Sequence, residues 1–306
     1  MTIAGSRVFQ VFKYAVYAFL TLNIYIFYAE ESAAVASQFP EGVGMHNVRE
    51  AFSATIDTFA WVVLLLMFEL ETYVLDDRHF TKAVAVTLHG LRAVCYIAIL
   101  LAFGGYIDDM LFVSDVVNLA GVSDLCRLPA GDWSWAVTFG EYIPITAANC
   151  AGLSDASAFV EFRDLPVIAD HAGHLEIVRL AWVDVINAGV WILVVVVLEI
   201  DVRLQEHNRL EGPALWVSNV VKFVLYSLLF LAAVYWGFKG DFVDFWDAFL
   251  WLVAFVFIEM NVFEWHAGAQ AAEGAIRESS GKDHAGVMSR GRESATMQSP
   301  NRRRRD

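Results

Sequence analysis

Apolar residues in this chain come in long blocks separated by short polar segments. Six such blocks predict helices over Val8–Tyr28, Thr55–Val74, Val84–Phe103, Val178–Leu198, Leu215–Phe238 and Phe245–Phe263. Each approaches the roughly 20 residues a helix needs to cross the hydrocarbon of a bilayer. The segments between them stop helices, as in Phe39-Pro40-Glu41-Gly42 and Leu210-Glu211-Gly212-Pro213.

Polar positions inside the blocks recur. Asp57, Trp61, Glu69 and Glu71 of the second helix match Asn187, Trp191, Glu199 and Asp201 of the fourth. They match Asp247, Trp251, Glu259 and Asn261 of the sixth at identical spacing. The odd helices repeat as well: Gln10, Lys13 and Tyr17 align with His89, Arg92 and Tyr96, and with Asn219, Lys222 and Tyr226. Steps of three and four residues place each odd set on one helix face. The expectation is an all-α integral membrane protein with six transmembrane helices. They form three repeated two-helix hairpins in a pseudo-threefold arrangement about an axis along the membrane normal. Hairpin 1 covers residues 1–75 and hairpin 2 residues 76–210, with an extracytoplasmic insert at 104–176. Hairpin 3 covers 211–266, and a disordered cytoplasmic tail covers 267–306.

Composition supports a membrane protein. The chain has 306 residues, of which 58% are hydrophobic and only 18% charged, and its mean hydropathy is +0.50. The net charge is −14, and the only strongly basic stretch is Arg302–Arg305. A nucleic-acid partner is therefore excluded, while the terminal arginines suit anionic lipid. Lys and Arg in the short connections, including Arg7, Arg78, Lys82, Arg203 and Arg209, fall on the side of both termini. That makes the termini cytoplasmic in a plasma membrane, or in the inner membrane of a bacterium. The run Ala33-Ala34-Val35-Ala36-Ser37 resembles a signal-peptidase site. The repeat needs the first helix, so a retained anchor is expected.

The insert then lies outside, where Cys126 and Cys150 can form a disulfide. Cys95 falls inside a span. The insert is too long for a bare connector. Its stretch from Asp108-Asp109 to Val116-Val117 reads as an amphipathic helix on the membrane surface, and Trp133 to Phe139 as an aromatic segment for a partner or the interface.

The repeated charges are the candidate chemistry. Lys13, Arg92 and Lys222 sit about 8 Å inside the cytoplasmic ends of their helices, level with Glu69, Glu199 and Glu259. The outer polar belt of Asp57, Asn187 and Asp247 lies about 18 Å higher. Intramembrane charges face the protein interior and find partners. They either pair as bridges that hold helices in register, or line a path for a small cation or proton. Trp61, Trp191 and Trp251 serve as an interfacial belt or as packing. His89 is the one titratable member of its column. His171 and His174 stand near Asp170 and Glu176, a spacing that suits a weak outer metal site and is equally explained by an exposed helix start.

No nucleophile elbow, HExxH, P-loop or dinucleotide fingerprint occurs, so no enzyme, catalytic residue, metal or cofactor is expected. Two functions remain. One is passage of small cations or protons along the axis; the other is a non-transporting structural or assembly subunit that meets other membrane proteins through the outer loop.

Overall fold

The computed structural model describes residues 3–71, 81–128, 132–155, 158–163, 165–207, 212–239 and 241–255. The chain divides into two compact units, Met1–Leu252 and Val253–Asp306. In the second unit the described residues 253–255 are helical. Glu259, Asn261 and the tail lie outside the described residues. The first unit holds the helical bundle and a sheet.

The long helices are α1 (Ile3–Gln38), α3 (Ser53–Glu69), α4 (Lys82–Ser114), α6 (His171–Glu206), α7 (Pro213–Lys239) and α8 (242–255), with short helices α2 (Val48–Ala51) and α5 (Cys150–Leu153). Four of them, α1, α4, α6 and α7, are long and apolar enough to cross a membrane. Their outward faces fit that environment: Phe223, Phe230 and Leu231 on α7, and Val94, Ile97 and Leu100 on α4, stay exposed. Soluble monomers rarely present so continuous an apolar surface. The chain is thus compatible with a multi-pass membrane protein.

Sequential helices pack as neighbours, α1 on α3, α3 on α4, α4 on α6 and α6 on α7. Leu180, Trp236 and Ala248 share one buried cluster that ties α6, α7 and α8 together. Asn23 of α1 donates to Asp247 of α8 at 2.7 Å, and Phe19 stacks edge-on against Trp246. A bundle closed on itself results.

The insert corrects the all-α expectation. It folds as a five-stranded sheet in the order β1-β4-β5-β2-β3. The strands are β1 (Val116–Asn118), β2 (Ser134–Thr138), β3 (Glu141–Pro144), β4 (Phe159–Phe162) and β5 (Val167–Asp170). Only the β2–β5 pair is parallel; the other pairs are antiparallel. Gly140 turns the β2–β3 hairpin at φ +77°, a backbone conformation that favours glycine. The surface helix expected over 108–117 is absent. Asp108 and Asp109 instead continue α4 to Ser114, and Val116-Val117 belong to β1.

Both faces of the sheet are buried over its central strands β4, β5 and β2, while the edge strands β1 and β3 are partly exposed. Ala136, Val160, Phe162 and Val167 pack onto Val113 of α4 and Ile177 of α6, which seats the sheet on one end of the bundle. On the other face Trp135, Phe159 and Ile168 cluster with Leu125 and Cys150. The expected disulfide is present there: Cys126 joins Cys150 with their Cα atoms 5.1 Å apart. It closes a loop with a sequence separation of 24. Replacing both cysteines with serine is expected to destabilise the sheet by about 2–4 kcal/mol. Proteolysis of the purified protein, faster within 104–176 and unchanged in the helices, would check this.

Candidate functional site

Three tryptophans meet inside the bundle. Trp61 of α3, Trp191 of α6 and Trp251 of α8 form a triangle with ring-centroid separations of 6.2, 6.3 and 6.4 Å. Interplanar angles of 54–67° make every contact tilted or edge-to-face, the geometry aromatic quadrupoles favour. They pack against one another and do not spread as an interfacial belt. One helical turn toward the sheet stand Asp57, Asn187 and Asp247. Trp61 Nε1 donates to Asp57 at 3.1 Å, and Asp247 accepts from the deeply buried Asn23. Asn187 Oδ1 is buried without a hydrogen-bond partner among the described residues.

Above this floor opens a cavity of about 630 Å³. Helices α1, α2, α3, α4, α6, α7 and α8 and the β2–β3 hairpin supply its walls. Ten lining residues are Asp or Glu, nine are aromatic, and one, Lys239, is basic. Lys239 is already engaged: its ammonium lies 2.5 Å from Glu176, which also holds Arg179 at 2.9 Å.

Some of the acids have structural tasks. Glu31 of α1 accepts from the backbone N–H groups of Ala54 and Thr55 and from the Thr55 hydroxyl. It thereby caps α3 from a neighbouring helix. Asp109 accepts from Ser53 at 3.1 Å. Glu50, on α2, has its carboxyl pushed above the usual range by burial and then by Asp108. At the rim, burial pushes the Tyr142 phenol up to about 12, against the opposing pull of Gln38, whose side-chain amide donates to it at 3.0 Å.

The second set of charges lies at the far end of the bundle, where the structure pairs them. Lys13, 3% exposed, meets Glu69 at 2.5 Å, and Tyr14 also donates to that carboxylate. Arg92 meets Glu71 at 2.9 Å. Lys222 meets Asp201 at 2.8 Å, and Ser218 donates to the same oxygen. Glu199 is exposed and pairs within its own helix with Arg203. Glu69 and Glu199 thus occupy different surroundings, and Glu259 lies outside the described residues. His89 is exposed against its own helix backbone, bonded to the Ala85 carbonyl. His174 bonds the Val113 carbonyl at 2.8 Å and packs on Phe162, docking α6 against α4. Among the described residues no group of His, Cys, Asp and Glu is arranged to hold a metal.

Sequence reasoning found the floor and missed the walls. Asp184 precedes Asn187 by three residues, and Asp244 precedes Asp247 by three. Both therefore lie one turn above the polar belt on the same face. The equivalent place in hairpin 1 is Ala54, which hid the pattern from a threefold comparison. No known protein family matches the sequence, and no curated protein or solved structure matches it either.

Proposed function

We propose that this protein is a polytopic membrane protein that admits cations from the sheet side of the membrane into the acidic cavity and passes them along the axis of the bundle. Six spans in three hairpins about a pseudo-threefold axis form the body. The sheet lies outside and both termini lie in the cytoplasm of a cell whose plasma membrane it occupies. The observation that carries this reading is the strongly acidic cavity standing directly over a ring of three tryptophans. Low-dielectric walls and one sign of charge concentrate counter-ions. The nearly equal sides of the triangle support the repeat, because each hairpin contributes one ring.

The charge pairs support it from the far end. Arg92 reaches Glu71, and Lys222 reaches Asp201; each is the second acid on the even helix of the preceding hairpin. The same rule would send Lys13 to position 261, where the sequence has neutral Asn261, and Lys13 pairs with Glu69 of its own hairpin. On this reading Lys13, Arg92, Lys222 and their acids hold the helices in register, and the ion meets the acids of the cavity wall and then Asp57, Asn187 and Asp247.

A second reading is a non-transporting assembly subunit. The pairing of those charges and the contact among the tryptophans favour it. Ion flux in proteoliposomes separates the two. Wild type is expected to pass a small cation, and Asp57→Asn/Asp247→Asn to lower that flux at least about tenfold, because two carboxylates leave a poorly solvated site. Absence of flux from folded wild type under every cation and proton gradient would overturn passage.

A further inference from the structure

The cavity is larger and more aromatic than an inorganic cation requires. Its volume of about 630 Å³ falls among small-molecule pockets, which span roughly 300–1,000 Å³. A bare ion would leave most of that space to water, and the described residues offer no metal-ligand cluster. Carboxylates line the cavity ten to one over bases, and that one base, Lys239, is bonded to Glu176. Charge therefore selects a cation. Nine aromatic side chains in the same wall select hydrocarbon, and their faces attract positive charge.

One atom narrows the class further. Asn187 Oδ1 is a buried acceptor with no hydrogen-bond partner among the described residues, and it stands at the level of Asp57 and Asp247 just above the tryptophan floor. Buried acceptors in folded proteins are ordinarily satisfied. What would satisfy this one is an N–H or O–H donor; among cations with a hydrocarbon body, a protonated amine carries such a donor and a tetraalkylammonium carries none. The carboxylates beside it strengthen such a donor's bonds.

We propose that the cavity binds a protonated amine with an apolar body. Its ammonium is held by Asp57, Asp247 and the Asn187 side-chain carbonyl, and its hydrocarbon lies against the rings of Trp61, Trp191 and Trp251. This inference rests on the cation-handling reading and adds to it the class of ligand.

The test is calorimetric titration of the purified full-length protein in detergent, with heats from protein-free micelles subtracted. Phenethylammonium is the probe; tetraethylammonium, sodium and calcium are the comparators. Phenethylammonium is expected to bind saturably, and Asp57→Asn/Asp247→Asn to weaken it about tenfold or more. Asn187→Leu is expected to weaken phenethylammonium about fivefold and leave tetraethylammonium unchanged, since only the former has N–H bonds to lose. Asn187→Asp supplies a variant with the opposite sign, tightening phenethylammonium about fivefold by adding a charge. Binding that ignores the two Asp substitutions, or an Asn187→Asp protein that binds no tighter, overturns the proposal. So does heat from sodium or calcium with none from phenethylammonium. Amine binding without flux would sink passage and leave this site standing, whereas inorganic-ion flux without amine binding would do the reverse.

Discussion

Lys13→Met is expected to destabilise the protein by about 3–5 kcal/mol, the usual result of removing one partner from a buried ion pair. Lys13 and Glu69 have side-chain exposures of only 3% and 8%, so the carboxylate left behind would keep little beyond the Tyr14 and Tyr17 hydroxyls. The same argument predicts a loss in Glu69→Gln, because the buried Lys13 ammonium gives up its carboxylate partner at 2.5 Å. Lys13→Met/Glu69→Met should recover part of the loss, because two apolar side chains of similar volume remove both charges of the pair, while the Tyr14 and Tyr17 hydroxyls still lose their shared acceptor. The other pairs set a gradient. Lys222 and Asp201 are 23% and 11% exposed, and Arg92 and Glu71 are 36% and 26% exposed. Lys222→Met should therefore cost less than Lys13→Met, and Arg92→Met least of the three. Unfolding of the purified variants in mixed micelles measures this order. Equal losses at all three positions would mean that burial does not decide the strength of the pairs.

The sequence made the long helices legible because their apolar blocks far exceed what a soluble core helix carries. Their ends were harder to read. The third block is expected to end at Phe103, yet α4 runs on through Gly104-Gly105 to Ser114. The glycine there permits another segment to approach closely, and that purpose leaves no local trace. α1 likewise continues from Tyr28 to Gln38, carrying Glu31 to the point where it caps α3. The sheet was invisible for a different reason. Its strands are three to five residues long and both faces of its central strands are covered, so the alternation that marks a half-exposed strand is lost.

The site was half legible. Repetition exposed Asp57, Asn187 and Asp247, because a residue present in three copies stands out against background. Glu30, Glu31, Glu50 and Asp109 occur once each, on the ends of different elements, and only the fold brings them to one cavity. The cation–acid belt was legible as composition but not as pairing. Which carboxylate a lysine chooses depends on helix rotation, and Asn261 leaves one copy of the rule without an acid.

Gly105→Ala is expected to cost about 3 kcal/mol or more, with a larger residue there preventing accumulation of the folded protein. A Cβ at this position would collide with the Arg49 carbonyl oxygen and lie 2.9 Å from Ser53 Cβ. The first of these is backbone and cannot swing aside as a side-chain tip can. Close packing of this kind is what small residues provide between membrane helices. Relief would require α2 and the start of α3 to move off α4. That movement would pull Arg49 from Asp108, now 2.7 Å apart, and Ser53 from Asp109. It would also displace the α3 N-terminus from its Glu31 cap, so the wall holding Glu50, Ser53 and Asp109 would lose its shape with the helix contact. Gly104→Ala is the control one residue away. Its nearest neighbour would be the Arg49 guanidinium at 3.5 Å, an ordinary contact with a flexible group, and its effect should stay within about 1 kcal/mol. Thermal unfolding of the two variants side by side measures the difference. Equal stability would mean that α2 yields freely at Gly105, and that the cavity wall is not braced by this contact.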